Sequence, residues 1–113
     1  MLDMKDMSDQ NYNRYNNIIV SIVSSIVEQT DGVSNNLTNI RYRNSSEKIK
    51  NGNIHVYFKN DKIVIDVFIN IVYGYNVPDI IAGLQNKIAK EVENLTKFVV
   101  ESVNVNISNI IFN

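Results

Sequence analysis

The stretch that most constrains the fold is NIHVYFKNDKIVIDVFINIVYG, residues 53–74, in which apolar side chains alternate with other side chains. The alternation runs on both sides of Asn60-Asp61, a residue pair that tolerates positive φ and suits a two-residue turn. A turn at this pair sets Phe58 opposite Ile63 and places the apolar residues of both strands on one face. The sequence therefore predicts a β-hairpin with one buried face.

The two faces of the predicted hairpin differ in chemistry. The face predicted to point inward carries Ile54, Val56, Phe58, Ile63, Ile65, Val67, Ile69, Ile71 and Tyr73. The outward face carries Tyr57 opposite Val64 and His55 opposite Asp66, followed by Phe68, Asn70 and Val72. Tyr57, Val64, Phe68 and Val72 lie in adjacent rows. We interpret these four as a candidate interface for a second copy or another protein, against the alternative of scattered surface apolar residues.

Two further stretches have helical spacing, and a third alternates. Residues 14–33, RYNNIIVSIVSSIVEQTDGV, repeat apolar residues at intervals of three and four, and Gly32 suits the end of a helix. A second helix is predicted after Asn76, its N-cap, with Pro78 in its first turn. Its apolar stripe comprises Ile80, Ile81, Leu84, Ile88, Val92 and Leu95. The last segment predicts a strand with one face formed by Val99, Val103, Val105, Ile107 and Ile111.

The order of these elements predicts an α+β two-layer sandwich, in which two helices pack on one face of a mixed sheet of three or four strands. Whether Leu37, Ile40 and Tyr42 form an additional short strand is not decided by the sequence. Residues 1–13 are predicted to be a flexible polar tail, and residues 14–113 a single α/β domain.

Composition excludes several classes of function. The chain has no Cys and one His, so disulfides, thiolate metal sites and His-rich metal clusters are excluded. The formal net charge of −1 disfavours a general nucleic-acid binder. The polar N-terminus and the lack of an apolar run of membrane-spanning length lead us to expect a cytoplasmic protein. A basic segment containing Arg41, Arg43, Lys48 and Lys50 is a candidate contact for an anionic surface, or else a solvated loop.

Two places invite a catalytic interpretation. Gly74 stands between a strand and a helix, but a phosphate site needs several glycines, and Pro78 removes an N–H donor from the first turn. His55 and Asp66 form a cross-strand pair that could orient a proton transfer, but no Cys exists and no Ser has an identifiable catalytic context. The sequence therefore predicts no catalytic, cofactor-binding or metal-binding residues, and we expect no enzyme activity.

The chain resembles the alkaline shock protein family of Gram-positive bacteria, which includes the YloU-like proteins. The matching positions, in order along residues 15–112, are Asp31-Gly32-Val33, Asp66, Tyr73-Gly74, Pro78-Asp79, Leu84-Gln85, Glu93-Asn94-Leu95-Thr96 and Val103-Asn104-Val105. The order and spacing of these pieces, rather than any one of them, carry the resemblance.

The resemblance implies a non-enzymatic stress or cell-envelope protein that works as a protein-interaction or scaffold module. It implies no small-molecule substrate, and a protein partner that holds the chain at the inner face of the membrane, with homo-oligomers also expected. A different class remains as an alternative, a small α/β nucleic-acid-binding domain, because Tyr57, Phe68 and Asn70 on a sheet face could stack bases.

Overall fold

The computed structural model describes residues 9–34 and 53–112, and it gives no side-chain placement for 9–12. The elements in chain order are α1 (Asp9–Glu28), β1 (Val33–Ser34), β2 (Ile54–Lys59), β3 (Lys62–Val72), α2 (Val77–Thr96) and β4 (Val99–Ile111). Helix α1 begins within the stretch predicted to be a flexible tail, and residues 1–8 lie outside the described part of the chain. The strand considered at Leu37, Ile40 and Tyr42 also lies outside it.

The long strand β3 is the centre of the sheet. One edge of β3 is lined by β2 and then by the short β1, both antiparallel to it. The other edge is lined along its whole length by β4, which runs parallel to it. The sheet is therefore mixed, with a helix in the connection between its two parallel strands, as such a connection requires.

The predicted hairpin is confirmed residue by residue. Phe58 pairs with Ile63 and His55 with Asp66, as the alternation requires. Asn60 has a positive φ of 58° in the turn. Two consecutive residues with short polar side chains make this turn accessible, and the alternation on both strands allows only one register that buries a single apolar face.

Both helices pack against the same face of the sheet and against each other, which confirms the α+β two-layer sandwich. We call the covered side the inner face and the opposite side the outer face. The inner face of β3 contributes five nearly inaccessible side chains, Ile63, Ile65, Val67, Ile69 and Ile71. Against these lie Ile19, Val20, Val23 and Ile26 of α1 and Ile80, Leu84, Ile88 and Val92 of α2. The core is thus almost entirely β-branched residues and leucine.

The start of α2 is built as predicted. The Asn76 side chain accepts a hydrogen bond from the Asp79 backbone N–H at 3.0 Å, and Pro78 lies in the first turn. The end of α2 differs from the prediction, because Leu95 is exposed and Thr96 is buried in its place. The Thr96 hydroxyl donates to the Val92 carbonyl at 2.6 Å, so its polar group is satisfied inside the helix.

The predicted face of β4 is correct only in the middle of the strand. The parallel pairing with β3 skips Glu101 and Ser108, so the strand contains two irregularities of the β-bulge type. Each extra residue reverses the alternation. Val100, paired with Ile63, therefore takes the inner position predicted for Val99, and Ile111, paired with Val72, lies on the outer face.

Two residues of β3 and its turn also differ from the prediction. Tyr73 was expected to point inward, but it follows the end of β3 and is 67% exposed. Asn70 lies on the outer face as expected, yet it is only 3% exposed. It pairs with Ser34 of β1 on one side and with Asn109 of β4 on the other, so neighbouring strands cover it from both sides.

Candidate protein-interaction surface

The outer face of the sheet is not covered by either helix. Its rows are set by the strand pairing, and they run from the hairpin turn to the opposite end of the sheet. They comprise Tyr57–Val64–Ser102, His55–Asp66–Asn104, Phe68–Asn106, Ser34–Asn70–Asn109 and Val72–Ile111. Apolar and aromatic groups come mainly from β2 and β3, and amide groups mainly from β4.

The four predicted interface residues all lie on this face. Tyr57 is 50% exposed and lies opposite Val64, while Phe68 and Val72 are half-buried along β3. The structure separates them into three apolar patches, because Asp66 stands between Val64 and Phe68, and Asn70 between Phe68 and Val72. Their placement agrees with the sequence, and their role as an interface stays a prediction.

His55 joins the Tyr57 patch to the Phe68 patch, a role that the sequence interpretation missed. Its ring stacks on Tyr57 with centroids 6.5 Å apart and meets Phe68 edge-on at 6.0 Å. Three aromatic rings therefore form one continuous row across β2 and β3. The signal was present in the diagonal positions of the hairpin, where aromatic side chains on neighbouring strands reach each other.

The carboxylate of Asp66 is held by the last strand. Asn104 Nδ2 donates to Asp66 Oδ1 at 2.8 Å, so β4 supplies a partner to the acid that faces His55 across the hairpin. A second, weaker contact joins Asn109 Nδ2 to Asn70 Oδ1 at 3.5 Å. These polar contacts tie β3 to β4 on the outer face, which is a structural role that needs no catalysis.

The two ends of the sheet differ in charge. At the hairpin end, Lys59 Nζ and Glu101 Oε2 form an ion pair at 3.3 Å. At the opposite end, residues 67–78 and 102–112 contain no Asp, Glu, Lys, Arg or His. The ends of β3 and β4 carry exposed rings here, since Phe112 is 71% exposed and stacks on Tyr73 with centroids 4.8 Å apart.

The remaining sequence predictions concern charge and ligands. Arg41, Arg43, Lys48 and Lys50, the candidate contact for an anionic surface, lie outside the described residues. Within residues 9–34 and 53–112, no three His, Asp or Glu side chains come together as metal ligands would. In that same part of the chain, neither helix has the length and apolar character needed to cross a membrane.

Comparison with known proteins places these features in a family. The sequence model of the alkaline shock protein 23 family, which is described as having a cell envelope-related function, matches residues 5–112. A comparison with curated proteins gives no match.

Solved structures are similar to this chain at low sequence identity. The metal-bound C-terminal domain of the CzcD transporter from Thermotoga maritima is 16% identical, with a TM-score of 0.51 over 91% of this chain and 94% of that one. A MamM CTD structure is 11% identical, with a TM-score of 0.46 over 82% of this chain and 96% of that one. The similarity to the CzcD domain supports a shared fold and nothing more.

Proposed function

Because the chain belongs to the alkaline shock protein 23 family, with its cell envelope-related function, we propose that it is a non-enzymatic module that docks a protein partner. The observation that supports this most directly is the one-sided packing of the sheet. Both helices lie on the inner face, and the outer face presents the ring row of His55, Tyr57 and Phe68. A partner that covered this row would remove aromatic area from water.

The composition of the outer face suits a protein partner. A few residues carry most of the affinity at protein interfaces, aromatic side chains are enriched among them, and the rim of such an interface is polar. Here Tyr57, Phe68 and Val72 form the apolar part, while Asn104 and Asn106 are exposed amides beside it. Asp66 is the one acidic residue of these rows, which contain no Lys or Arg, and it already accepts from Asn104.

The same surface argues against an enzyme. Acid–base catalysis by His55 and Asp66 would need a nucleophile or a substrate pocket within hydrogen-bond reach. Among the described residues, the outer face is instead an open sheet, with the His55 ring between two aromatic neighbours. Substituting His55 by Ala is therefore expected to preserve the cellular role, apart from any loss of ring contact with the partner.

The proposed setting is the cell envelope, with the chain held at the inner face of the membrane by its partner. Homo-oligomers through the same face belong to this proposal, because a face without strong charge can pair with its own copy. Arg41, Arg43, Lys48 and Lys50 are proposed as a secondary contact with anionic lipid, worth about 1 kcal/mol per basic residue at the surface. Binding to anionic vesicles that weakens with salt is the expected result for that contact.

The test of docking uses two outer-face variants and one matched control. Phe68→Asp and Val72→Asp place a carboxylate inside the proposed interface, where an unpaired buried charge opposes binding strongly. Leu95→Asp places the same group at an exposed apolar residue of α2, away from the outer face. We expect partner capture from the native cell to fall at least about tenfold for the first two and to persist for the third.

Site-directed cross-linking makes this test independent of capture strength. A photoreactive residue at Tyr57 is expected to cross-link to the captured partner, and the same group at Leu95 is not. Equal capture by all three variants, together with equal cross-linking at both sites, would falsify docking through the outer face.

Nucleic-acid binding remains a second candidate, because exposed rings on a sheet face can stack on unpaired bases. The acidic net charge opposes it, since phosphate contacts supply most of the affinity of such binders. Filter binding of single-stranded RNA and DNA at low salt separates the two candidates. Retention that is lost in a Phe68→Ala variant would favour nucleic acid over a protein partner.

A further inference from the structure

The edge of β4 that faces away from β3 is a separate surface from the outer face. Among the described residues, no strand pairs with this edge. Alternate residues of β4 direct their backbone groups to the two edges. The Val99 N–H donates to the Asp61 carbonyl at 3.3 Å, and the Ile111 carbonyl accepts from the Tyr73 N–H at 2.8 Å, so these two residues face β3.

The first half of the free edge is occupied by side chains of α2. Glu93 Oε2 accepts a hydrogen bond from the Val100 N–H at 2.8 Å. Gln85 Nε2 donates to the Val103 carbonyl at 3.0 Å. The charged residue Glu101 lies in the same half, bound to Lys59. Side-chain caps and charges of this kind prevent a sheet edge from pairing with another strand.

The second half of the same edge has none of these caps within the described residues. Between the two irregularities, β4 stays in regular parallel register with β3, through the pairs Ile65–Val103, Val67–Val105 and Ile69–Ile107. Val105 and Ile107 therefore direct their N–H and C=O groups outward, as Val103 does. Residues 102–112 contain no charged residue and no Pro. Only the irregularity at Ser108 interrupts this half.

We propose that this open half of β4 pairs antiparallel with the same segment of a second copy of the chain, across a two-fold axis near Asn106. In that arrangement Val105 of one copy faces Ile107 of the other, and their outward N–H and C=O groups satisfy each other reciprocally. The outward backbone groups of Val105 and Ile107 lie symmetrically about Asn106, so the strand is complementary to a second copy of itself.

The absence of charge favours a second copy over an unrelated strand. Self-pairing of a strand sets each side chain near its own kind, so a charged strand would oppose like charges at short distance. The segment from Ser102 to Phe112 avoids this penalty completely. Exposed Ile110 and Phe112 at its end add apolar area that pairing can cover.

This inference does not rest on the proposed docking function, because it uses the backbone edge and not the outer face. The irregularity at Ser108 ends the regular alternation of outward backbone groups, so few hydrogen bonds can form between the two copies. We therefore expect a reversible dimer whose population depends on protein concentration, and the two sheets would join into one continuous sheet.

Site-resolved amide exchange on the full chain tests the pairing directly. In the monomer the outward N–H groups of Val105 and Ile107 have no partner among the described residues, whereas the N–H groups of Asn104 and Asn106 face β3. On going from dilute to concentrated protein, we expect exchange at Val105 and Ile107 to slow at least about tenfold. Exchange at Asn104 and Asn106 serves as the internal reference. Fast exchange at Val105 and Ile107 at all concentrations overturns the proposal.

Variants provide a second measurement by analytical ultracentrifugation. Val105→Pro removes an outward N–H without breaking a bond to β3, and Pro is tolerated at such edge positions. Asn106→Lys sets two ammonium groups against each other near the two-fold axis, and Ser102→Lys adds the same charge to the same strand face in the capped half. We expect the first two to weaken the dimer at least about tenfold and Ser102→Lys to leave it close to wild type.

The outcomes separate this inference from the docking function. Phe68→Asp is expected to abolish partner capture and to leave the edge dimer and its amide protection in place. A dimer that disappears in Phe68→Asp but persists in Val105→Pro would mean that copies associate through the outer face, and would overturn edge pairing. Circular dichroism of each variant verifies that it is folded.

Discussion

The two faces of β3 are made by alternate residues of one strand, yet they differ sharply in burial. Ile63, Ile65 and Ile69 on the inner face are at most 1% exposed, while Val64, Phe68 and Val72 on the outer face are half-buried. Both faces contain apolar side chains, so the residue types alone do not produce the difference. The helices produce it, because both pack on one side. The inner face therefore stabilises the fold, and the outer face, which neither helix covers, is the surface that we propose for binding.

The largest expected effect comes from truncating a β-branched side chain to alanine on each face of β3. Ile65→Ala is expected to lower the free energy of unfolding by about 3 kcal/mol, because it leaves a cavity beneath both helices. Val64→Ala, on the adjacent residue, is expected to lower it by less than about 1 kcal/mol, since its side chain is only partly removed from water. Urea unfolding measures both free energies, provided that their dependence on urea concentration is the same as in the wild type. Equal losses would show that the outer face is also packed in the protein.

A second test concerns Gly32, which lies between α1 and β1 and packs against Tyr75 and Ile80 at the edge of the inner face. Gly32 has a φ of +88°, and a Cβ there would lie 2.7 Å from both Ile80 Cδ1 and Tyr75 Cδ1. Gly32→Ala is therefore expected to lower the free energy of unfolding by about 2 kcal/mol through backbone strain and overlap.

Gly83 in α2 is the matched control for that substitution. Nothing lies within 4 Å of a Cβ placed there, and the residue is helical. Gly83→Ala is expected to raise the free energy of unfolding by about 0.5–1 kcal/mol, since alanine loses less backbone entropy in a helix. Thermal or urea unfolding of both variants should show opposite signs. A neutral Gly32→Ala would contradict the close packing of Tyr75 and Ile80 over this glycine.

The smallest expected effect concerns a polar contact on the outer face. Asn104→Ala removes the hydrogen bond to Asp66, but both groups can turn to water instead. The free energy of unfolding is expected to fall by about 0.5 kcal/mol or less. A loss above about 1.5 kcal/mol would mean that this contact holds β4 to β3, and that the outer face shares in stabilising the fold.

The parts of the fold that were predictable from sequence are those decided within short segments. The hairpin register follows from the turn pair Asn60-Asp61 and the alternation around it. The start of α2 follows from Asn76, Asp79 and Pro78, which interact within one helical turn. The four proposed interface residues were found for the same reason, because they share the hairpin alternation.

The errors fall where a residue's position depends on a distant partner. Val99 and Val100 exchange faces because β4 pairs with β3 through an irregularity at Glu101, which the β4 sequence does not mark. Leu95 and Thr96 exchange burial where α2 ends over the sheet. The pairing of His55 with Asp66 is confirmed, but its place in the aromatic row was missed, because that place depends on the side-chain directions across β2 and β3.

The amino-acid sequence by itself determined both helices, the hairpin with its register, the last strand and the presence of two apolar stripes that must be buried, because these depend on local turn chemistry and periodicity. The short strand β1 was not predicted. Only the tertiary structure decided which half of β4 is capped by Glu93 and Gln85 and which half has no such cap among the described residues. Those contacts join residues of α2 to a strand that follows it, and their geometry depends on how the helix crosses the sheet. Burial by packing, rather than residue type, therefore separates the surfaces that hold this protein together from those proposed to bind.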